Sequence, residues 1–126
     1  MFKIVHDNEL RGIFMADFKK TILIDLDGVL NTYTGNFDKN FIPPVKEGAK
    51  EFLKNLSKDF TVKIFTTRNK IVAVKWLIEN GLDKFTDDVT NVKELSWLYI
   101  DDRCIKFEGD FNDLTGKINN FSPWYK

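Results

Sequence analysis

The chain has 126 residues, 43% of them hydrophobic and 14% aromatic, which fits one ordinary domain with a real core and excludes a disordered chain. Nineteen basic and nineteen acidic side chains cancel, so no global field draws in nucleic acid or an anionic membrane. The single cysteine, Cys104, excludes an intramolecular disulfide and fits a reducing compartment.

As a lone thiol, Cys104 is expected to be a small buried apolar side chain. No apolar run approaches the ~20 residues that a membrane helix needs. The start "MFKIVHDNELRGIF" lacks the basic residues and apolar centre of a signal peptide, so a cytoplasmic protein is the expectation.

Strand and helix patterns alternate along the chain, which argues for a single α/β domain with a mostly parallel sheet covered by helices. Residues 1–19 read as an extension of that core. Phe2, Ile4 and Val5 suit a short strand, Leu10 to Phe18 a second strand or a helical turn, and "HDNE" a turn between them. A small hairpin is the expectation there. His6 is the one histidine, and since metal sites and acid–base relays need partners it reads as a surface or packing residue.

Thr21 to Asp25 is a continuous apolar run of the kind that forms a strand buried on both faces. Gly28 to Pro44 reads as a loop. "PPVKEGAKEFLKNLSKDF" reads as a helix with Pro44 in its first turn and Val45, Ala49, Phe52, Leu53 and Leu56 on one face. "FTVKIFTTR" is a second strand. Asn69 can cap the next helix and Gly81 can end it, with Ile71, Val74, Leu77 and Ile78 as its core stripe. "DDVTNV" suits a short third strand and "LSWLYIDD" a fourth. Phe111, Leu114, Ile118 and Phe121 mark a short amphipathic final helix.

Three of these strands end in polar clusters: Asp25 and Asp27, then Thr66, Thr67 and Arg68, then Asp101 and Asp102. In an open parallel sheet the carboxyl ends of adjacent strands face one crevice, so the clusters should converge. Asp25 and Asp27 lie two apart, which puts both side chains on one side of an extended chain, and Gly28 lets the backbone turn just after them. Four carboxylates around one cleft repel unless a cation joins them. Oxygen ligands without His or Cys select Mg²⁺, which commonly binds one or two carboxylates together with a substrate phosphate. One carboxylate can then attack phosphorus while the other exchanges protons with the leaving oxygen and with water. Thr66 and Arg68 offer a hydroxyl and a planar fork to a phosphoryl group, and Lys93 is the lysine best placed between the strands.

"IDLDGVL" resembles the first motif of the haloacid dehalogenase superfamily, hhhDxDG[TV], and "IFTTR" resembles its second, an apolar strand ending in Thr or Ser. Lys93 sits where the third-motif lysine falls, and "LYIDD" resembles the fourth motif. The "TTR" and "IDDR" endings also resemble the phosphatase domain of phage polynucleotide kinase and small phosphatase-like proteins of bacteria and phages. The resemblance runs over residues 21 to 102.

It implies a Rossmann-like three-layer core, Mg²⁺ and phosphoryl transfer. By the same resemblance Asp25 is the nucleophile and a metal ligand. Asp27 is the general acid and base and gives its backbone carbonyl to the metal. Thr66, with Thr67 beside it, and Lys93 hold the phosphoryl group, and Arg68 contacts substrate phosphate. The last protein ligand is Asp102 or Asp101, with Asp102 favoured and Asp101 as its support. The dehalogenases that name the superfamily lack the second motif-I aspartate, so Asp27 favours phosphate over haloacid.

Neither Gly28 to Pro44 nor Asn69 to Thr90 is long enough to hold a folded cap domain. An open site is expected, suited to a nucleotide or nucleic-acid-end phosphate more than to a small sugar phosphate. Tyr33, Phe37 and Phe41 can either stack on a base or sugar or pack their loop onto the core. Arg103 can pair with the acidic cluster or face solvent. The expected activity is a Mg²⁺-dependent phosphomonoesterase; the alternative is a binding or regulatory module of the same fold without turnover.

Overall fold

The structure of the protein, a computed structural model, describes residues 19–126. The expected hairpin over 1–19, and His6 with it, lies almost wholly outside the described residues. Four strands, β1 (Thr21–Asp25), β2 (Thr61–Phe65), β3 (Asp88–Thr90) and β4 (Leu98–Ile100), form one sheet in the order β3-β2-β1-β4. Every neighbouring pair is parallel. With helices α1 (Ala49–Leu56), α2 (Lys70–Glu79) and α3 (Leu114–Asn119), this is an α/β fold consistent with a Rossmann-like sandwich.

Register explains the core. Ile24 lies opposite both Ile64 and Ile100, and Ile64 lies opposite Val89, so one row of branched side chains runs across all four strands. Because strand side chains alternate, Ile22, Ile24, Val62, Ile64 and Val89 share the face that meets the helices. They pack with Ala49 and Leu53 of α1 and with Ala73, Trp76 and Leu77 of α2. Both connections out of β1 and β2 thus return over one face of the sheet. The crossing from β3 to β4, through residues 91–97, carries no helix.

α2 shows how local sequence sets its ends. The Asn69 side chain accepts from the backbone N–H groups of Ile71 and Val72, at 2.9 and 3.2 Å, satisfying two of the free donors of the first turn. At the other end Gly81 takes φ +69°; its N–H reaches the Ile78 carbonyl, and the Leu82 N–H reaches the Leu77 carbonyl. This paired closure places the Leu82 side chain in the core, where it is fully buried.

Three expectations are corrected. α1 starts at Ala49 rather than at Pro44, because Gly48 adopts φ +90° and breaks the helical path ahead of it. The core face of α2 is Ala73, Trp76 and Leu77, whereas Ile71 is 77% exposed and Ile78 is also exposed. Apolar residues surround most of this helix, so periodicity alone did not select a face, and the large Trp76 ring took the interior. In α3 the expected apolar face is open: Phe111 is 76% exposed, and Ile118 and Phe121 are exposed too.

Among the described residues no helix is long and apolar enough to cross a membrane. The core assignment predicts that Ile64→Ala lowers unfolding free energy by about 3 kcal/mol in urea titrations. Ile71→Ala, on the open side of α2, is expected to change it by no more than about 0.5 kcal/mol.

Candidate metal centre

The register that aligns Ile24 with Ile100 also aligns the residues just beyond them. Asp25 closes β1, Asp101 and Asp102 come directly after β4, and the two strands are hydrogen-bonded neighbours. One carboxylate oxygen from each of Asp25, Asp101 and Asp102 falls within 4.8 Å of the others. Parallel pairing therefore brings together acidic groups that lie far apart in the chain.

The crowding has an electrostatic cost. The Asp25 carboxyl is pushed up to about 8, first by burial, then by the charge of Asp101, a hydrogen bond and charge from Asp102, and the charge of Asp27. Asp101 is also raised, by burial first and then by its hydrogen bond with Asp102. Without a cation the cluster thus holds a proton near neutral pH. The donor set is all carboxylate, and its spacing is one that a single metal ion could bridge.

The surrounding backbone is shaped for this contact. Gly28 has φ +86°, a left-handed conformation that side chains disfavour, and a Cβ on it would collide with the Asp102 carboxylate. Tyr125 donates its hydroxyl to Asp102 Oδ2 at 3.0 Å. Trp124 donates its indole N–H to the Gly28 carbonyl at 2.7 Å.

Asp27 is not part of the three-carboxylate cluster. Its Oδ2 accepts from Arg68 Nε at 2.9 Å, and its Oδ1 accepts from Arg68 Nη2 at 3.1 Å and from Asn31 Nδ2 at 3.0 Å. Arg68 is 4% exposed, donates Nη1 to the Asp38 carbonyl at 2.9 Å, and lies 4.5 Å from the centre of the Phe37 ring. The fork expected to face a phosphate is turned to Asp27 instead, because a buried guanidinium needs a nearby anion and Asp27 supplies both oxygens. Of the loop aromatics, Phe37 covers Arg68 and Tyr33 meets Tyr125 edge-on at 6.1 Å, while Phe41 is exposed.

Thr66 is buried at the end of β2, where its hydroxyl accepts from the Arg68 N–H at 3.0 Å; Thr67 is exposed. Lys93 lies on the other side of the sheet from α1 and α2. Its ammonium sits 4.6 Å from the Tyr99 ring centre and lines a cavity of about 280 Å³ with Asp25, Asp101 and Arg103. Leu23, Phe65 and Ile100 make this cavity's apolar wall. Cys104 also lines it and is exposed, contrary to expectation: it lies just past an edge strand, beyond the region that α1 and α2 cover.

Three residues of the site were not legible in advance. Asn31 is fully buried; its Oδ1 accepts from the N–H groups of Gly28 and Tyr33, both at 3.1 Å, while its Nδ2 holds Asp27. An Asn four positions after an aspartate carries no distinctive signal. Trp124 and Tyr125 are far from the motifs in sequence, and nothing in the chain's pattern ties them to the acidic cluster. No protein-family model, curated protein or solved structure matches the chain.

Two measurements check this site. Between the ordinary carboxylate range and about 8 the folded state keeps the Asp25 proton that the unfolded chain has already lost, so stability falls as pH rises through that window. In chelator, the melting temperature should drop between pH 5 and pH 8.5, and Asp25→Asn should flatten the drop. A wild-type profile that rises over this range contradicts the raised Asp25. Separately, Asn31→Ala leaves the N–H groups of Gly28 and Tyr33 without their acceptor and should cost about 2–4 kcal/mol in denaturant unfolding.

Proposed function

We propose that the chain is a Mg²⁺-dependent phosphomonoesterase of the haloacid dehalogenase type, working through an aspartyl-phosphate on Asp25. The observation that carries this reading is the meeting of Asp25 with Asp101 and Asp102 at the carboxyl ends of adjacent parallel strands. The order of "IDLDGVL", "IFTTR", Lys93 and "LYIDD" along the chain supports it. A Mg²⁺ held by Asp25, Asp101 and Asp102 would supply positive charge that offsets repulsion between a carboxylate nucleophile and an anionic phosphoryl group.

In the first step an Asp25 oxygen attacks phosphorus, and the bond from phosphorus to the leaving oxygen breaks. Asp27 gives that oxygen a proton. In the second step Asp27 takes a proton from water as the water attacks the aspartyl-phosphate, which releases inorganic phosphate and restores Asp25. Asp27 Oδ2 accepts one hydrogen bond, from Arg68, and so has a further lone pair for this exchange. Lys93 lines the same cavity as Asp25 and is the cation we assign to the phosphoryl oxygens. The substrate class is a phosphorylated small molecule, a nucleotide or a nucleic-acid end. The balanced net charge argues against tight electrostatic binding of a long nucleic acid.

A second reading, a metal-dependent binding module without turnover, draws on one observation. Asp27 accepts three hydrogen bonds and donates none, which is the opposite of an acid's role.

Hydrolysis of p-nitrophenyl phosphate with Mg²⁺ separates the readings. The phosphatase predicts turnover that chelator abolishes, that Asp25→Asn removes, and that Asp27→Asn lowers about 10²–10⁴-fold. Equal rates in all three proteins overturn it. Mg²⁺ binding with no phosphate released from nucleotides, oligonucleotide ends or sugar phosphates favours the module.

A further inference from the structure

We infer that Tyr125 is a positioning residue for Asp102, and that Trp124 holds it in place by anchoring the segment Pro123–Lys126 on the Gly28 backbone. This rests on the proposed role of Asp25, Asp101 and Asp102 as ligands of a divalent cation. It goes beyond that role by assigning a part to residues outside every motif of the sequence.

Two contacts meet at Asp102 Oδ2. Gly28 approaches so closely that a Cβ on it would collide with this oxygen. The Tyr125 hydroxyl donates to it at 3.0 Å. A carboxylate that ligates a cation needs its rotamer fixed before the ion arrives, and a donor on one of its oxygens does this without touching the ion. Asp102 has no such donor from Arg68 or Asn31, which both serve Asp27.

Tyr125 is itself held. The indole N–H of Trp124 meets the Gly28 carbonyl at 2.7 Å, so the same glycine that makes room for Asp102 also anchors the segment. The Lys46 ammonium lies 4.5 Å from the Trp124 ring centre. Trp124 and Tyr125 meet edge-on with ring centres 5.4 Å apart, and Tyr33 meets Tyr125 at 6.1 Å. These contacts tie the segment to the loop after β1, so it walls the acidic cluster on the side where Gly28 turns. A phenol suits this role because it offers one donor on a rigid ring with two torsions.

The test is Mn²⁺ binding to the full chain, read from the EPR signal of free Mn²⁺, beside thermal melting in chelator. Tyr125→Phe keeps the ring and removes the hydroxyl. It should weaken Mn²⁺ binding about tenfold while leaving the chelated melting temperature unchanged. Trp124→Phe loses the anchor on Gly28 and should weaken binding in the same direction, and Asp102→Asn should weaken it most. Wild-type affinity in Tyr125→Phe, with loss in Asp102→Asn, overturns the positioning role and leaves the cation site standing. If Tyr125→Phe fails to melt cooperatively, Trp124→Phe decides, and unweakened binding there overturns the inference. No Mn²⁺ uptake by the wild type at millimolar concentration overturns the inference and the cation site together.

Discussion

Like charges do not gather at the end of a buried strand unless something else in the fold compels them. Here the compulsion is the parallel pairing of β1 with β4. Once Ile24 and Ile100 are opposite each other in the apolar row, Asp25, Asp101 and Asp102 have no other place to go. The hydrophobic gain is spread over the whole sheet, whereas the repulsion is confined to one crevice, and that imbalance keeps the cluster in place. The raised Asp25 carboxyl is the remnant of the conflict, and a metal ion bound there would relieve it.

The second carboxylate of "DLD" is handled differently. Asp27 sits two residues on and would share a side with Asp25 in extended chain, yet Arg68 and Asn31 take both its oxygens. The Arg68 guanidinium also donates to the Asp38 carbonyl and is covered by Phe37, so one planar group joins β2, the carboxylate and the long loop. Asn91 completes the frame by donating to the carbonyls of Thr66 and Arg68. The site thus has a crowded acidic half and a paired, hydrogen-bonded half, joined at Gly28. In a phosphoryl-transfer site, the first half would hold the cation and the nucleophile, and the second would hold the proton carrier.

Much of the architecture could be read in the residues, and the failures share a cause. β1 and β4 were legible because each is a short apolar run closed by polar residues, and Asn69 and Gly81 punctuate α2 as their chemistry demands. The convergence of Asp25 with Asp101 and Asp102 followed from strand-end geometry. The features that escaped depend on tertiary contact. α2 is apolar nearly all round, so only packing could choose Trp76 over Ile71. Arg68 has the chemistry of a phosphate ligand, and only its burial beside Asp27 shows where its fork is engaged. Asn31 and Tyr125 make ordinary hydrogen bonds whose meaning comes from their partners, Asp27 and Asp102.

The sheet order carries a kinetic consequence. β1 is central, and its partners come from distant parts of the chain: Ile22 pairs with Val62 on one side and with Leu98 on the other. Long loops must close before either pairing returns any stability, so a topology of this kind folds more slowly than one built from hairpins. A chain emerging from the ribosome can form β1, α1 and β2 while β4 is still unmade. The acidic crevice is therefore among the last features to assemble, and no nascent fragment ending before residue 101 can hold it.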